Sequence, residues 1–201
     1  MGRHFCTAAA VLSVLLFVPP TAAAQQLGVK GGVTLTDVRW GDAVEITTKR
    51  TPGFLAGVFT RVKPLKGIDL QIEAVVSQIV IDFAEADIVL KNTLTVVDVP
   101  VLVRYKLFSG KSMTVRAQGG AAFDLVVMAR ENVNGATADI KETVAPWGAA
   151  LVAAAEVEWG RRWVFDARYV FGLTNIYEEQ VAIDFPAKNQ AIQVTAGFKI
   201  R

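Results

Sequence analysis

The 201-residue chain has one cysteine and one histidine, Cys6 and His4, and both lie in its first six residues. Beyond residue 24 no segment reaches the roughly eighteen consecutive apolar residues that a membrane helix needs. Charge of one sign is not in excess either: 21 Lys and Arg stand against 19 Asp and Glu. That near-balance argues against a nucleic-acid partner.

Residues 1–24 have the layout of a secretory signal peptide. A short basic head (Met1 to His4) precedes the apolar run "FCTAAAVLSVLLFV", and the segment ends at Ala22-Ala23-Ala24. This predicts export, with cleavage before Gln25. Cys6 sits near the start of the apolar run, where a lipidated cysteine is not found. Cleavage would remove both Cys6 and His4. The mature chain, residues 25–201, is then one domain without disulfides, Ser-His or Cys-His catalysis, or His/Cys zinc sites.

What remains is alternation with a period of two, the signature of half-apolar strands. In "IDLQIEAVVS", Ile68, Leu70, Ile72, Ala74 and Val76 take one face, and Asp69, Gln71, Glu73 and Ser77 the other. The same reading applies to "LGVKGGVTL", "GFLAGVFTRV" (Arg61 with Leu55 and Phe59), "VVDVPVLVRYKL", "MTVRAQGGAAFDL", "RRWVFDARYVFGLTNI" and "AIQVTAGFKIR" (Thr195 and Lys199 opposite Val194 and Phe198). "WGAALVAAAEVEW" suits a helix by its alanines, but its two tryptophans share one parity and Glu156 and Glu158 the other, so it is read as a strand. Pro100 removes a ladder donor and predicts a bulge or a locally open pair.

Eight amphipathic strands imply a barrel or a sandwich. Their connections alternate: "KPLKG", "FSGKS" and "GRR" are short, whereas 36–52, about 82–93, 129–145 and 174–190 are long. That alternation predicts an all-β, eight-stranded antiparallel up-and-down transmembrane β-barrel, with short periplasmic turns and long outer loops. One strand face is nearly free of charge. The other carries Lys30, Asp69, Glu73, Asp98, Arg104, Arg116, Asp124, Glu156, Asp166 and Arg168. An eight-stranded cylinder has too little room for the large apolar set, so that set is placed in lipid and the charges inside. Trp159 and Trp163 flank Gly160-Arg161-Arg162 and, with Trp147, are read as an interfacial girdle. A soluble sandwich is the alternative architecture.

The segments "GVKGGVTL", "PGFLAGVF", "DVPVLVRYKL" and "FDARYVFGLTNI" give the mature chain a resemblance to the small outer-membrane β-barrel domain family typified by PorT-like proteins. The resemblance implies location and fold but no agreed activity. The ending Phe198-Lys199-Ile200-Arg201 departs from the terminal aromatic that such barrels often present to the assembly machinery.

The inward charges are read as a salt-bridge network, because an eight-stranded interior is about filled by side chains. Glu156 and Glu158 are read as interior packing rather than a glycosidase pair. No spacing suits a calcium loop. No catalytic, metal or cofactor residue is assigned. The candidate contact residues are in the loops: Trp40, Tyr177 and Phe185, each an aromatic amid charge. The expected partners are outer-membrane lipid, the barrel-assembly machinery and an unknown protein at the loops. Three roles stay open: a non-enzymatic structural or interaction barrel, a narrow transport or small-ligand barrel, and a soluble periplasmic β-protein that binds an apolar ligand.

Overall fold

The computed structural model describes residues 26–40, 50–65, 68–85, 88–133, 135–177 and 187–200, so the signal segment 1–24 lies outside the described residues. Nine strands are present among them: β1 (Gln26–Trp40), β2 (Thr51–Leu65), β3 (Ile68–Glu85), β4 (Ile88–Ser109), β5 (Met113–Val133), β6 (Ala136–Asp139), β7 (Trp147–Trp159), β8 (Trp163–Asn175) and β9 (Ala187–Lys199). The pairing runs β4-β3-β2-β1-β9-β8-β7-β5, and β4 also pairs with β5. The sheet therefore closes into an eight-stranded antiparallel barrel. A sandwich is excluded, and β6 is only a short return strand on the far end of β5.

The two faces follow the parity of the sequence. Val29, Phe54, Val76, Val101, Phe123, Leu151, Phe165 and Val194 are exposed on the outer wall. Lys30, Gln71, Glu73, Arg104, Glu156, Asp166 and Arg168 are buried inside. The alanine-rich segment 147–159 is a strand, because each alternate residue finds a paired neighbour on β5 and β8. At Pro100 the β3–β4 ladder is open. Pairing stops at Ile72↔Val101 and resumes in the same register at Val75↔Asp98, as a residue without an N–H requires. On the inner wall Gly28 leaves room for the Phe59 ring, whose nearest atom would stand 2.3 Å from a Cβ at that position.

One connection is shorter than expected. Residues 82–93 were expected to form a long connection, yet β3 runs to Glu85 and β4 begins at Ile88. The strands β3, β4 and β5 have 18, 22 and 21 residues. A tilted strand crosses a membrane in about 9–11 residues, so these three project well past the barrel's waist. Likewise Trp40 belongs to β1, where its backbone pairs with Ala187, rather than to a loop. The projecting end packs its own apolar cluster inward: Val38, Ile79, Ile81, Leu94, Val96, Ala129, Val144, Ile176 and Ala187. Ile140 and Val144, which flank a 3-10 turn (Lys141–Thr143), pack with this cluster, and so does Tyr177, joined to Val144 by an isolated bridge.

Candidate functional site

The barrel interior is organised from the short-turn end upward. On β8, Arg168 points across the lumen to Glu73 on β3. Its Nη1 and Nη2 donate to the two carboxylate oxygens at 3.0 Å each, and its Nε donates to Asp166 at 2.8 Å. Lys30 on β1 donates to Glu73 at 3.2 Å and to Asp166 at 2.9 Å. Thr195 on β9 donates to Asp166 at 2.5 Å.

A second group lies beside the first. Arg61 on β2 donates to Glu156 on β7 at 2.8 Å and to Glu158 at 2.9 Å. Its guanidinium also lies 4.5 Å from the centre of the Phe59 ring. Arg104 on β4 binds Asp69 at 3.1 Å, Glu158 at 2.6 Å and also Glu156. Arg116 on β5 reaches Asp69 at 3.0 Å, and Lys199 on β9 reaches Glu158 at 3.2 Å. Gln71 joins the two groups: its Oε1 accepts from Arg61 and its Nε2 donates to Glu73, both at 2.5 Å. All eight barrel strands thus contribute to one connected network.

Burying charge is costly unless each charge is paired and its remaining hydrogen-bonding capacity is used. The network meets that condition for Glu73 and Glu156, which are both 0% exposed and each bound by three partner side chains. Of the ten predicted interior charges, eight belong to it. Asp98 and Asp124 do not. They face each other as direct partners on β4 and β5, higher in the barrel. The Ser77 hydroxyl donates to Asp98 at 2.6 Å. Both carboxylates line a cavity of about 30 Å³ with Thr34, Thr36, Arg168 and Asn189, room for about one or two waters. Their separation from the cations follows from position: every basic partner except Arg168 lies nearer the short-turn end.

The residues that sequence reasoning left out of this set are Arg61, Gln71, Gln118, Glu158, Thr195 and Lys199. Strand parity turns all six inward; Gln71, Gln118 and Thr195 carry no charge to mark them, whereas Arg61, Glu158 and Lys199 lie towards the short-turn ends of their strands.

The three tryptophans do not form one ring. Trp159 and Trp163 are direct partners across the β7–β8 turn, at 64% and 53% exposure. Trp147 lies at the opposite end of β7 and stacks on Phe123 at 6.1 Å. Tyr177 is half-buried against the upper apolar cluster, and its hydroxyl accepts from Asn92 at 3.4 Å. Burial raises its pKa. It is therefore part of the packing over the mouth rather than a free loop contact. Phe185 and the side chain of Trp40 lie outside the described residues.

Comparison with known proteins agrees with this architecture. Residues 23–178 match the family model described as outer membrane protein beta-barrel domain. The solved structure of Neisserial surface protein A is similar, with a TM-score of 0.52 at 7% identity, covering 88% of this chain and 99% of that one. The Ail protein of Yersinia pestis gives a TM-score of 0.45 at 14% identity, covering 87% of this chain and 98% of that one. The N-terminal barrel of Pseudomonas aeruginosa OprF gives 0.39 at 9%, covering 88% and 100%. At these identities the first likeness shows the fold alone. No curated protein matches the sequence.

Proposed function

Because the chain belongs to the outer membrane protein beta-barrel domain family, we propose that it serves as a non-enzymatic scaffold whose lumen is closed and whose recognition surface is its projecting end. It is an integral barrel of the bacterial outer membrane. The observation that carries the closed-lumen reading is the network itself. Arg61–Glu156 and Arg168–Glu73 each join strands that lie four positions apart around the eight-strand ring, so both bridges cross the full diameter. Above them Leu102, Ala122, Ala150, Val152, Val170 and Ala191 fill the waist, and the upper apolar cluster fills the mouth. A transport path would have to break these layers.

The projecting parts of β3, β4 and β5, with exposed β6, supply surface beyond the membrane, which is where recognition concentrates on a rigid frame. Replacing residues 84–89 and 131–139 with tight turns should leave a heat-modifiable, folded barrel and abolish any partner captured by crosslinking in cells. Retention of the same partner would move recognition elsewhere.

Two finer readings belong with this one. The four motifs quoted above support a PorT-like member of the family. The basic head, apolar run and alanine-rich end support cleavage before Gln25. Amino-terminal sequencing of outer-membrane material tests the latter: a start at or beside Gln25 is expected, and an intact Met1 overturns it.

A further inference from the structure

Six interior cations (Lys30, Arg61, Arg104, Arg116, Arg168 and Lys199) all have carboxylate partners. Arg161 and Arg162, at the β7–β8 turn, have none among the described residues. Gly160, at φ +61°, turns the chain, and its N–H donates to Ser112. The Arg162 carbonyl accepts from the Lys199 N–H, and its guanidinium sits 5.6 Å from the centre of the Phe198 ring. Arg162 is thereby held against the outer wall rather than directed into the lumen. Beside the arginines, Trp159, Trp163 and Phe165 wall an open, outward-facing hollow of about 540 Å³. Trp163 is braced by Phe165, stacked at 6.4 Å, and by Phe198, edge-on at 5.3 Å.

The neighbouring turns share the same charge. The three short connections, "KPLKG" (63–67), "FSGKS" (108–112) and "GRR" (160–162), contain Lys63, Lys66, Lys111, Arg161 and Arg162 and no Asp or Glu. Asp69 and Glu158, the nearest carboxylates of β3 and β7, are already bound inside the barrel. A site with paired guanidinium groups at its lip and an aromatic wall facing hydrocarbon suits a molecule with an anionic head and an acyl tail.

We propose that this hollow binds an anionic glycerophospholipid of the periplasmic leaflet: the phosphate on Arg161 and Arg162, one acyl chain along Trp159, Trp163 and Phe165. A zwitterionic headgroup fits less well, because among the described residues the carboxylates nearest this rim, Asp69 and Glu158, are already bound to interior cations. A cell-wall polymer is also anionic but has no chain to lie on the aromatic wall. The inference rests on the membrane placement above and adds a ligand class to it.

The test uses the folded mature barrel carrying Trp40→Phe and Trp147→Phe, so that only Trp159 and Trp163 emit. The protein is inserted into phosphatidylcholine vesicles in which a fixed fraction of lipid is replaced by brominated phosphatidylglycerol or by brominated phosphatidylcholine. Bromine quenches tryptophan on contact. Association with the glycerol lipid should be at least about fivefold tighter than with the choline lipid, since each of the two surface-proximal arginines contributes an interaction of that order. Arg161→Ala with Arg162→Ala should erase the preference while quenching by both lipids remains. Equal quenching by the two lipids, or a preference that survives loss of both arginines, overturns this inference alone. No quenching by either lipid overturns the membrane placement of this rim and the inference with it.

Discussion

Arg168 and Glu73 come from strands on opposite sides of the barrel and meet in a bidentate pair, two parallel hydrogen bonds of 3.0 Å, with neither residue more than 4% exposed. A planar guanidinium matches a carboxylate in that geometry and a lysine ammonium does not. The pair therefore fixes the distance between β3 and β8 as well as neutralising two charges.

Removing one member should be costly. Arg168→Met leaves Glu73 buried with only Lys30 and Gln71, and should destabilise the barrel by about 3–5 kcal/mol in reversible unfolding from lipid vesicles. The double change Arg168→Met with Glu73→Leu should cost clearly less than the sum of the two single changes. Strict additivity would mean the pair is not coupled.

Asp98 and Asp124 should respond in the opposite direction. Among the described residues the interior holds six cations against seven carboxylates, namely Asp69, Glu73, Asp98, Asp124, Glu156, Glu158 and Asp166. Two of the carboxylates face each other with no cation bound to either. Like charges at that spacing oppose each other. Asp124→Asn should thus be neutral or stabilising, measured by the same unfolding assay beside Glu156→Gln, which should destabilise. A large loss from Asp124→Asn would show that this carboxylate holds a partner the charge count omits.

Much of this was legible in the alternation of residues. Parity alone put Lys30, Glu73, Arg104, Glu156, Asp166 and Arg168 on one face, because lipid on one side and a charged lumen on the other force strict period two. The segment "FAEADIVLKN", 83–92, was not legible as strand. There Glu85, Asp87 and Lys91 intrude, and the sequence looks like a loop, although the pairing of β3 with β4 runs to Glu85↔Ile88. Which charges meet was hidden for a different reason. Arg61 and Glu156 are 95 residues apart and touch only because the sheet closes. Asp98 shares the parity of the network but pairs across from Asp124, farther from the short-turn end than the cations of the second group.

The outer face makes an independent prediction. Val101 is 44% exposed on the outer wall, one residue from fully buried Leu102. Val101→Arg should cost about 2–4 kcal/mol if the site lies at mid-membrane, whereas Val101→Leu should be nearly neutral. Equal stability of Val101→Arg and wild type in lipid would reverse the face assignment.

Gln71 tests whether the two charge groups act as one. It is the side chain that bridges Arg61 and Glu73. Gln71→Leu keeps the volume but leaves both partners short of a hydrogen bond, at a cost of about 1–3 kcal/mol. In that background the unfolding effects of Arg61→Met and Arg168→Met should become more nearly additive than they are in the wild type.

Single-channel recording in planar bilayers reads out whether the ion pairs that span the lumen close it, as proposed. The purified folded barrel should give no reproducible conductance steps, and the combined change Arg61→Ala, Glu73→Ala, Glu156→Ala and Arg168→Ala should produce them if that variant inserts. Stable nanosiemens steps from the wild-type protein would contradict a closed lumen and make transport the function.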